Sequence, residues 1–363
     1  MGVPFIQRYR VGHHVFSQKL RGRRRYPLVM MLEPLFRCNL GCAGCGKIDY
    51  PEEILKRRLS LSECVSASDE CGAPIVAISG GEPLLHEEMP QIVSNLIRRK
   101  RFVYLCTNGL LLKTRINDYA PSPYLTLSVH LDGYRERHDA LACRPGVFDA
   151  AVEAIQLACK KGFRVTINCT LYEGIAAQEV SHFFDFIMGL GVEGIMVSPA
   201  YRYAQAPQKD IFLMRTRSIN LFREVLNLGK GRKWRFNQSI LFLDFLAGNQ
   251  AYACTPWGNP TRNVFGWQRP CYLLTKEGYA PSFKALIDET NWERYGNGRN
   301  PKCANCMLHS GFEATAVNDI FGHPLKALWV YLRGPRTHGP TTLEQPFSSR
   351  DSMASAREGQ GEE

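Results

Sequence analysis

The sequence predicts an α/β fold: an open, partial (β/α)6 barrel of the TIM type with a Cys-rich C-terminal extension. Three observations predict it. Six short apolar runs are separated by helix-length segments, glycine-rich or polar residues follow several of these runs, and the alternation fades after about residue 236. Buried strands alternating with helices imply parallel pairing, because a crossover of a dozen or more residues returns the chain in the same direction. Six units fall short of the eight that close a full barrel, and chemistry is expected in the loops at the carboxyl ends of the strands.

The strands are expected at residues 27–33 (PLVMMLE), 74–79 (PIVAIS), 102–107 (FVYLCT), 124–131, 163–171 and 194–198. Between them lie helical patterns. Met89, Ile92, Val93, Leu96 and Ile97 recur at spacings of three and four, and residues 151–159 form a helix stopped by Gly162. The expected organisation is a basic arm over residues 1–26, the barrel over 27–235, a small lid-like or metal-stabilised Cys-rich domain over 236–334, and a disordered tail over 335–363, where Pro, Ser, Gly and charges dominate.

The chain has 363 residues, 45% of them hydrophobic, which excludes disorder as a description of the whole. No run reaches the roughly 18 uninterrupted apolar residues of a membrane span, and no signal-peptide core follows the first basic residues, so a cytoplasmic location is expected. Thirteen cysteines, an odd number, fit metal binding or redox chemistry better than a secreted disulfide framework. Net charge is +11, but residues 1–25 hold seven Arg and Lys and no acid, leaving 38 bases against 34 acids elsewhere. In this arm Arg8, Arg10, Lys19, Arg21, Arg23, Arg24 and Arg25 interleave with Phe5, Ile6, Tyr9, Val15, Phe16 and Leu20. It reads as a solvated helix or strap packed on the body, or as an element lying peripherally on an anionic inner membrane surface; nucleic acid is the weaker fit.

The strongest chemical signal follows the first strand. Cys38, Cys42 and Cys45, spaced C-x3-C-x2-C, stand on a loop rich in glycine. Zinc usually takes four ligands, whereas three thiolates on one short loop can hold three irons of a 4Fe-4S cluster and leave the fourth open. Buried structural thiols and a zinc site completed from elsewhere are the competing readings. After the second strand comes Ser79-Gly80-Gly81-Glu82-Pro83, which taken alone is an ordinary strand-to-helix turn.

Together these two motifs resemble the radical S-adenosylmethionine (SAM) superfamily. The resemblance implies that Cys38, Cys42 and Cys45 hold a 4Fe-4S cluster and that Gly80, Gly81, Glu82 and Pro83 form the segment beside the methionine amine of SAM. It further implies that Thr107, Asn108 and Gly109, then Ser128, Asp132, Asn168 and Thr170, contact the carboxylate and ribose, with backbone near Val197 and Ser198 facing the adenine. One departure stands out: the residue before the third cysteine is commonly aromatic in that superfamily, and here it is Gly44.

Over nearly all of residues 1–333 the chain is similar to the hopanoid-biosynthesis adenosylhopene transferases, on the runs CNLGCAGCGKI (38–48), 254–271 and NPKCANC (300–306) with 307–317. This implies a lipid substrate, a hopene such as diploptene, whose side-chain alkene receives the 5′-deoxyadenosyl group to give adenosylhopane. It also implies an electron donor such as flavodoxin or ferredoxin. Alkene addition leaves a tertiary carbon radical, and Cys106, at the end of strand three, is the expected hydrogen donor; a packed core thiol is the ordinary reading. Cys254, Cys271, Cys303 and Cys306 form a second group, sufficient for zinc or another 4Fe-4S cluster, with structural thiols or lid contacts as alternatives. The rival functions are a hydrogen-abstracting radical SAM enzyme acting on another isoprenoid or a peptide, and a non-enzymatic iron–sulfur electron carrier.

Overall fold

The computed structural model of the chain describes residues 2–201 and 205–343. The chain opens with helix α1 (Phe5–Leu20), followed by strand β1 (Val29–Glu33), a short α2 (Glu52–Leu55), α3 (Leu61–Cys71) and β2 (Ile75–Ile78). Then come α4 (Met89–Arg98), β3 (Phe102–Thr107), α5 (Leu112–Arg115), β4 (Leu125–His130), α6 (Arg135–Leu141) and α7 (Val147–Lys160). The barrel finishes with β5 (Arg164–Leu171), α8 (Ala177–Gly189) and β6 (Gly194–Pro199). All six strands fall within two residues of the apolar runs that predict them, and they pair parallel in sequence order.

Local signals explain the boundaries. Ser60 caps α3 through a reciprocal box with Glu63, and Gly72 ends it in the left-handed conformation at φ 70°. In α4 the spacing of apolar positions matches the buried face, Met89, Ile92, Val93 and Leu96.

After α9 (Arg215–Leu228) and α10 (Ile240–Leu246), the Cys-rich segment does not build a core of its own. Its strand β7 (Thr261–Asn263) pairs parallel with β1, and β8 (Gly266–Gln268) and β9 (Tyr279–Ala280) follow antiparallel, so the open sheet has nine strands in the order β6-β5-β4-β3-β2-β1-β7-β8-β9. Trp267, Leu286, Trp292 and Phe312 belong to the same apolar cluster as Met30, Val103 and Ile167. The free edge of β1 supplied unpaired backbone groups, and β7 satisfies them. At the opposite edge the Gln238 amide pairs with both backbone groups of Val197, donating to its carbonyl (2.5 Å) and accepting from its N–H (3.0 Å).

Three more helices, α11 (Phe283–Glu289), α12 (His309–Gly322) and α13 (Pro324–Arg333), complete the extension. The first part of the expected tail is held in place: Thr337 and Thr341 are buried, Arg223 donates to the carbonyl of Gly339, and the backbone of Arg336 donates to Asp244. Isolated polar residues there find backbone and carboxylate partners, which composition does not reveal. The rest of that expected tail, 344–363, lies outside the described residues.

The basic arm is a helix packed on the body. Val15 of α1 sits in a small apolar cluster with Tyr26, Leu28 and Ala314, and Gln7 hydrogen-bonds the Tyr104 hydroxyl inside the barrel (2.9 Å). Its aromatic residues point the other way, however: Phe5, Tyr9 and Phe16 are exposed. Among the described residues no helix is long and apolar enough to cross a membrane.

Candidate active site

Because side chains alternate across a strand, every second residue of the six barrel strands faces the interior. Met31 and Glu33, Tyr104 and Cys106, Ser128 and His130, and Asn168 and Thr170 thereby line one cavity of about 900 Å³. The carboxyl ends of the strands give the cavity a polar wall; at their amino ends Val29, Met31 and Ile75 meet Val11 of α1 and Val317 of α12, with Gln7, Asn237 and Glu313 among them.

Cys38, Cys42 and Cys45 all line the polar end. Their loop is pinned by the Ala43 N–H on the Leu141 carbonyl (2.8 Å) and by Gln208 on the carbonyl of Ala43 (3.1 Å). Burial pushes the Cys38 thiol up to about 11 and, with the neighbouring cysteines, that of Cys42 to about 12. Such thiols stay protonated near neutrality unless a cationic centre takes their sulfur. Among the described residues no three His, Cys, Asp or Glu side chains are drawn together around a single ion; a cubane takes one thiolate per iron, and three thiols around one cavity wall fit that demand.

Gly80 and Gly81 carry the cysteine loop on their backs. Gly80 is left-handed (φ 107°), and a Cβ on either glycine would collide with backbone carbonyls of residues 35–37. The Gly81 and Glu82 N–H groups donate to the carbonyls of Leu35 and Arg37 (both 2.9 Å), so the two motifs form one platform. Glu82 is buried and accepts from the Leu84 N–H (3.0 Å), the Thr107 hydroxyl (2.9 Å) and the Asn108 N–H (2.9 Å). Burial pushes its carboxyl above the ordinary range although these bonds favour the anion. Asn108 in turn donates to Asn39 on the cysteine loop (2.7 Å). Pro83 starts the following 3-10 turn and does not line the cavity.

On the next two strands, Asp132 accepts from the Thr170 N–H (2.7 Å) and pairs with His130 Nε2 (2.7 Å), while its own N–H donates to His138 Nδ1 (3.2 Å). Burial works against protonation of His130, but Asp132 outweighs it and holds the imidazole above its ordinary value; burial and His130 push His138 down to about 4. Ser79 Oγ and His138 Nε2 are buried without a protein partner and belong to residues lining the cavity, as expected of groups awaiting a polar ligand.

Cys106 lies in register with Ser128 on the cavity wall, and burial raises its thiol to about 12. Val197 and Ser198, like Pro83 and Gly109, do not line the cavity. The Val197 backbone is taken by Gln238 and the Ser198 hydroxyl bonds His309 (2.9 Å); their neighbours Met196 and Pro199 face inward instead.

Sequence reasoning missed His130, His138 and a buried ion pair, Lys47 Nζ to Glu33 (2.8 and 3.0 Å), which ends β1 at the cavity. The available signal was a charged or imidazole residue terminating an apolar strand at its carboxyl end. It missed Tyr172 as well. A side chain at Gly44 would run into the Tyr172 ring (2.5–3.0 Å), so an aromatic group lies beside the third cysteine, supplied by the end of β5.

Cys254, Cys271, Cys303 and Cys306 come from three separate segments and gather outside the cavity lining, behind Tyr272 and Tyr201. Burial raises Cys271 to about 11 and Cys306 to about 12, and the ionised form of each would repel the others. Four thiols are the donor number of zinc or of a cubane, and among the described residues no three of them close around a single ion.

With this geometry in view, the comparisons bear on the barrel. The pattern described as the Radical SAM superfamily matches residues 32–187. This chain carries a radical SAM domain. Its cofactors are those of the superfamily, a 4Fe-4S cluster and SAM. Residues 195–330 match a second pattern, a domain of unknown function (DUF3463). GTP 3′,8-cyclase of Clostridium perfringens is 27% identical over 40% of this chain and 46% of its own, and that of Aquifex aeolicus is 31% identical over 43% and 51%. The chain thus spans about half the length of the curated relatives it matches. SuiB of Streptococcus suis shares the fold at a TM-score of 0.63 and 16% identity, covering 83% of this chain and 75% of that one.

Proposed function

We propose that this radical SAM protein transfers the adenosyl group of SAM to the side-chain alkene of a hopene such as diploptene, as its resemblance to the adenosylhopene transferases implies. The observation that carries this reading is one chamber that runs from a polar end at the cysteine loop to a far wall lined by Val11, Val29, Ile75 and Val317, with Gln7 and Glu313 among them. A nucleotide-like cofactor suits the first and a hydrocarbon skeleton the second.

Bound at the polar end, a reduced 4Fe-4S cluster and SAM supply a 5′-deoxyadenosyl radical. The chain's own residues hold and orient. Cys38, Cys42 and Cys45 ligate the cluster, and Gly80–Pro83 fix the loop against β2. Thr107 and Asn108, oriented by Glu82, face the cofactor's polar groups, as do Ser128, Asn168 and the Asp132–Thr170 pair. Met196 and Pro199 replace Val197 and Ser198 as the β6 contacts, and Tyr172 provides the ring absent at Gly44. Cys106 is the hydrogen donor to the carbon radical left by addition. Only a protonated thiol has a hydrogen atom to give, and its burial keeps it protonated; the thiyl radical left behind is returned to the thiol by one electron from a donor such as flavodoxin or ferredoxin and one proton from solvent. The second cysteine group is assigned a metal, zinc or a further cluster.

The test is anaerobic reconstitution with reductant, SAM and diploptene, followed by mass analysis. Adenosylhopane is the expected product. Release of 5′-deoxyadenosine in proportion to an unadenosylated product would replace addition by hydrogen abstraction, and no cleavage of SAM by iron-replete protein would remove the reading.

A further inference from the structure

The far end of the chamber reaches the surface between α1 and the C-terminal helices. Phe321, Leu328 and Tyr331 line the cavity and yet are 45%, 52% and 54% exposed, so they form its rim; Arg8 and Val11 of α1 stand opposite. The two sides touch where a Cβ on Gly12 would come within 3.1 Å of the Phe321 ring.

Around this rim the surface is apolar on both sides. Helix α13 (PLKALWVYLR) buries only Ala327 and Val330 and turns Leu325, Trp329 and Leu332 outward, each at least 64% exposed. Helix α1 turns out Phe5, Tyr9, Phe16 and Leu20. Monomeric proteins rarely expose this many large apolar side chains on two helices at one cavity mouth without a use for them. The flanking charge has one sign: the first acid of the chain is Glu33, α13 contains none, and Arg10, Lys19, Arg21 and Arg24 are exposed and form no ion pair among the described residues. Outward aromatic and leucine side chains framed by unpaired Arg and Lys are what an anionic lipid surface recognises.

We propose that α1 and α13 form one docking face for an anionic bilayer, with the chamber mouth between them turned toward the lipid, so that an apolar membrane lipid passes into the chamber without crossing water. The entry route rests on the function proposed above; the docking itself does not.

Co-sedimentation of the full chain with vesicles of phosphatidylcholine containing phosphatidylglycerol, without substrate, tests the docking. Binding should fall at least tenfold in L325E/W329E, weaken with salt and be much lower on pure phosphatidylcholine. SAM binding by that variant checks that it folds. No binding by the native chain, or undiminished binding by the folded variant, would overturn the proposal. So would lipid-free sedimentation in which the native chain self-associates through this face and L325E/W329E does not. For entry, the variant should convert detergent-dispersed diploptene normally and vesicle-embedded diploptene at least tenfold more slowly; equal loss on both would overturn the route. Vesicle binding with no conversion of any hopene would leave the docking face in place and remove the substrate assignment.

Discussion

The two ends of the chamber are built by different means. At the carboxyl ends of the strands, short contiguous motifs do most of the work. One loop bears three cysteines, one turn carries two glycines and Glu82, and the hydrogen bonds that this carboxylate accepts fix the next loop. At the amino ends no motif exists, and the wall is assembled from the first helix and the last two, brought together from opposite ends of the chain. The difference teaches that the reaction is specified by local sequence and the substrate by long-range assembly, so changes at the first end should abolish chemistry and changes at the second should redirect or slow it.

The largest effect is expected at the cysteine loop. Cys42→Ser should lose the cluster and reduce SAM cleavage by at least about a thousandfold, read from iron and sulfide content and from 5′-deoxyadenosine formation under dithionite; substantial retained cleavage would break the contrast. Cys106→Ala should leave SAM cleavage within a fewfold of the native rate while adenosylhopane formation drops at least tenfold, a separation visible by quantifying both products in one reaction. Glu82→Gln replaces an acceptor of three bonds by a group that must place two N–H hydrogens among donors. A loss of about 1–3 kcal/mol of stability is expected for such a buried mismatch, with weaker SAM binding, measured by thermal unfolding and calorimetric titration.

On the helix-built side the expected effect is on stability alone. Glu313 on α12 is buried, one carboxylate oxygen accepting from the Ser239 N–H (2.7 Å) and the other unpartnered, and burial raises its carboxyl to about 7. The folded state therefore keeps a proton that the unfolded state releases near 4.5, so this group's contribution is present below that value and is lost as pH rises through about 7. The stability difference between the native chain and Glu313→Gln should change by at most roughly 3 kcal/mol between pH 4.5 and 7.5. Comparing the two proteins also cancels the opposite trend of His138 and His309, whose burial lowers both to about 4 and makes acid destabilising. A flat difference curve would show that Glu313 does not titrate in this window.

Most of the barrel was legible because its strands are continuous apolar runs, the signature of parallel strands buried on both faces. The cysteine loop and Gly80–Gly81 were legible because their spacing is short. The glycines' reason was only half visible: carbonyls of residues 35–37 occupy the space a side chain would need. His130 and the Lys47–Glu33 pair left only a positional signal, a charged or imidazole residue closing an apolar strand, with no period to reinforce it. Val197 and Ser198 came from the superfamily resemblance, which cannot reveal that Gln238 and His309 already engage them in this chain. Nor does amphipathic spacing tell which face of α1 turns inward; Gln7 is buried and Phe5 is not.

Tyr172 has a consequence for recognising kindred chains. A search pattern that insists on an aromatic ring next to the last cysteine passes this sequence by, although the ring is there in space. The space around Gly44 is taken by the Tyr172 ring, so a larger residue at Gly44 demands a smaller one at Tyr172, and a library that varies Gly44 alone meets that ring at every substitution.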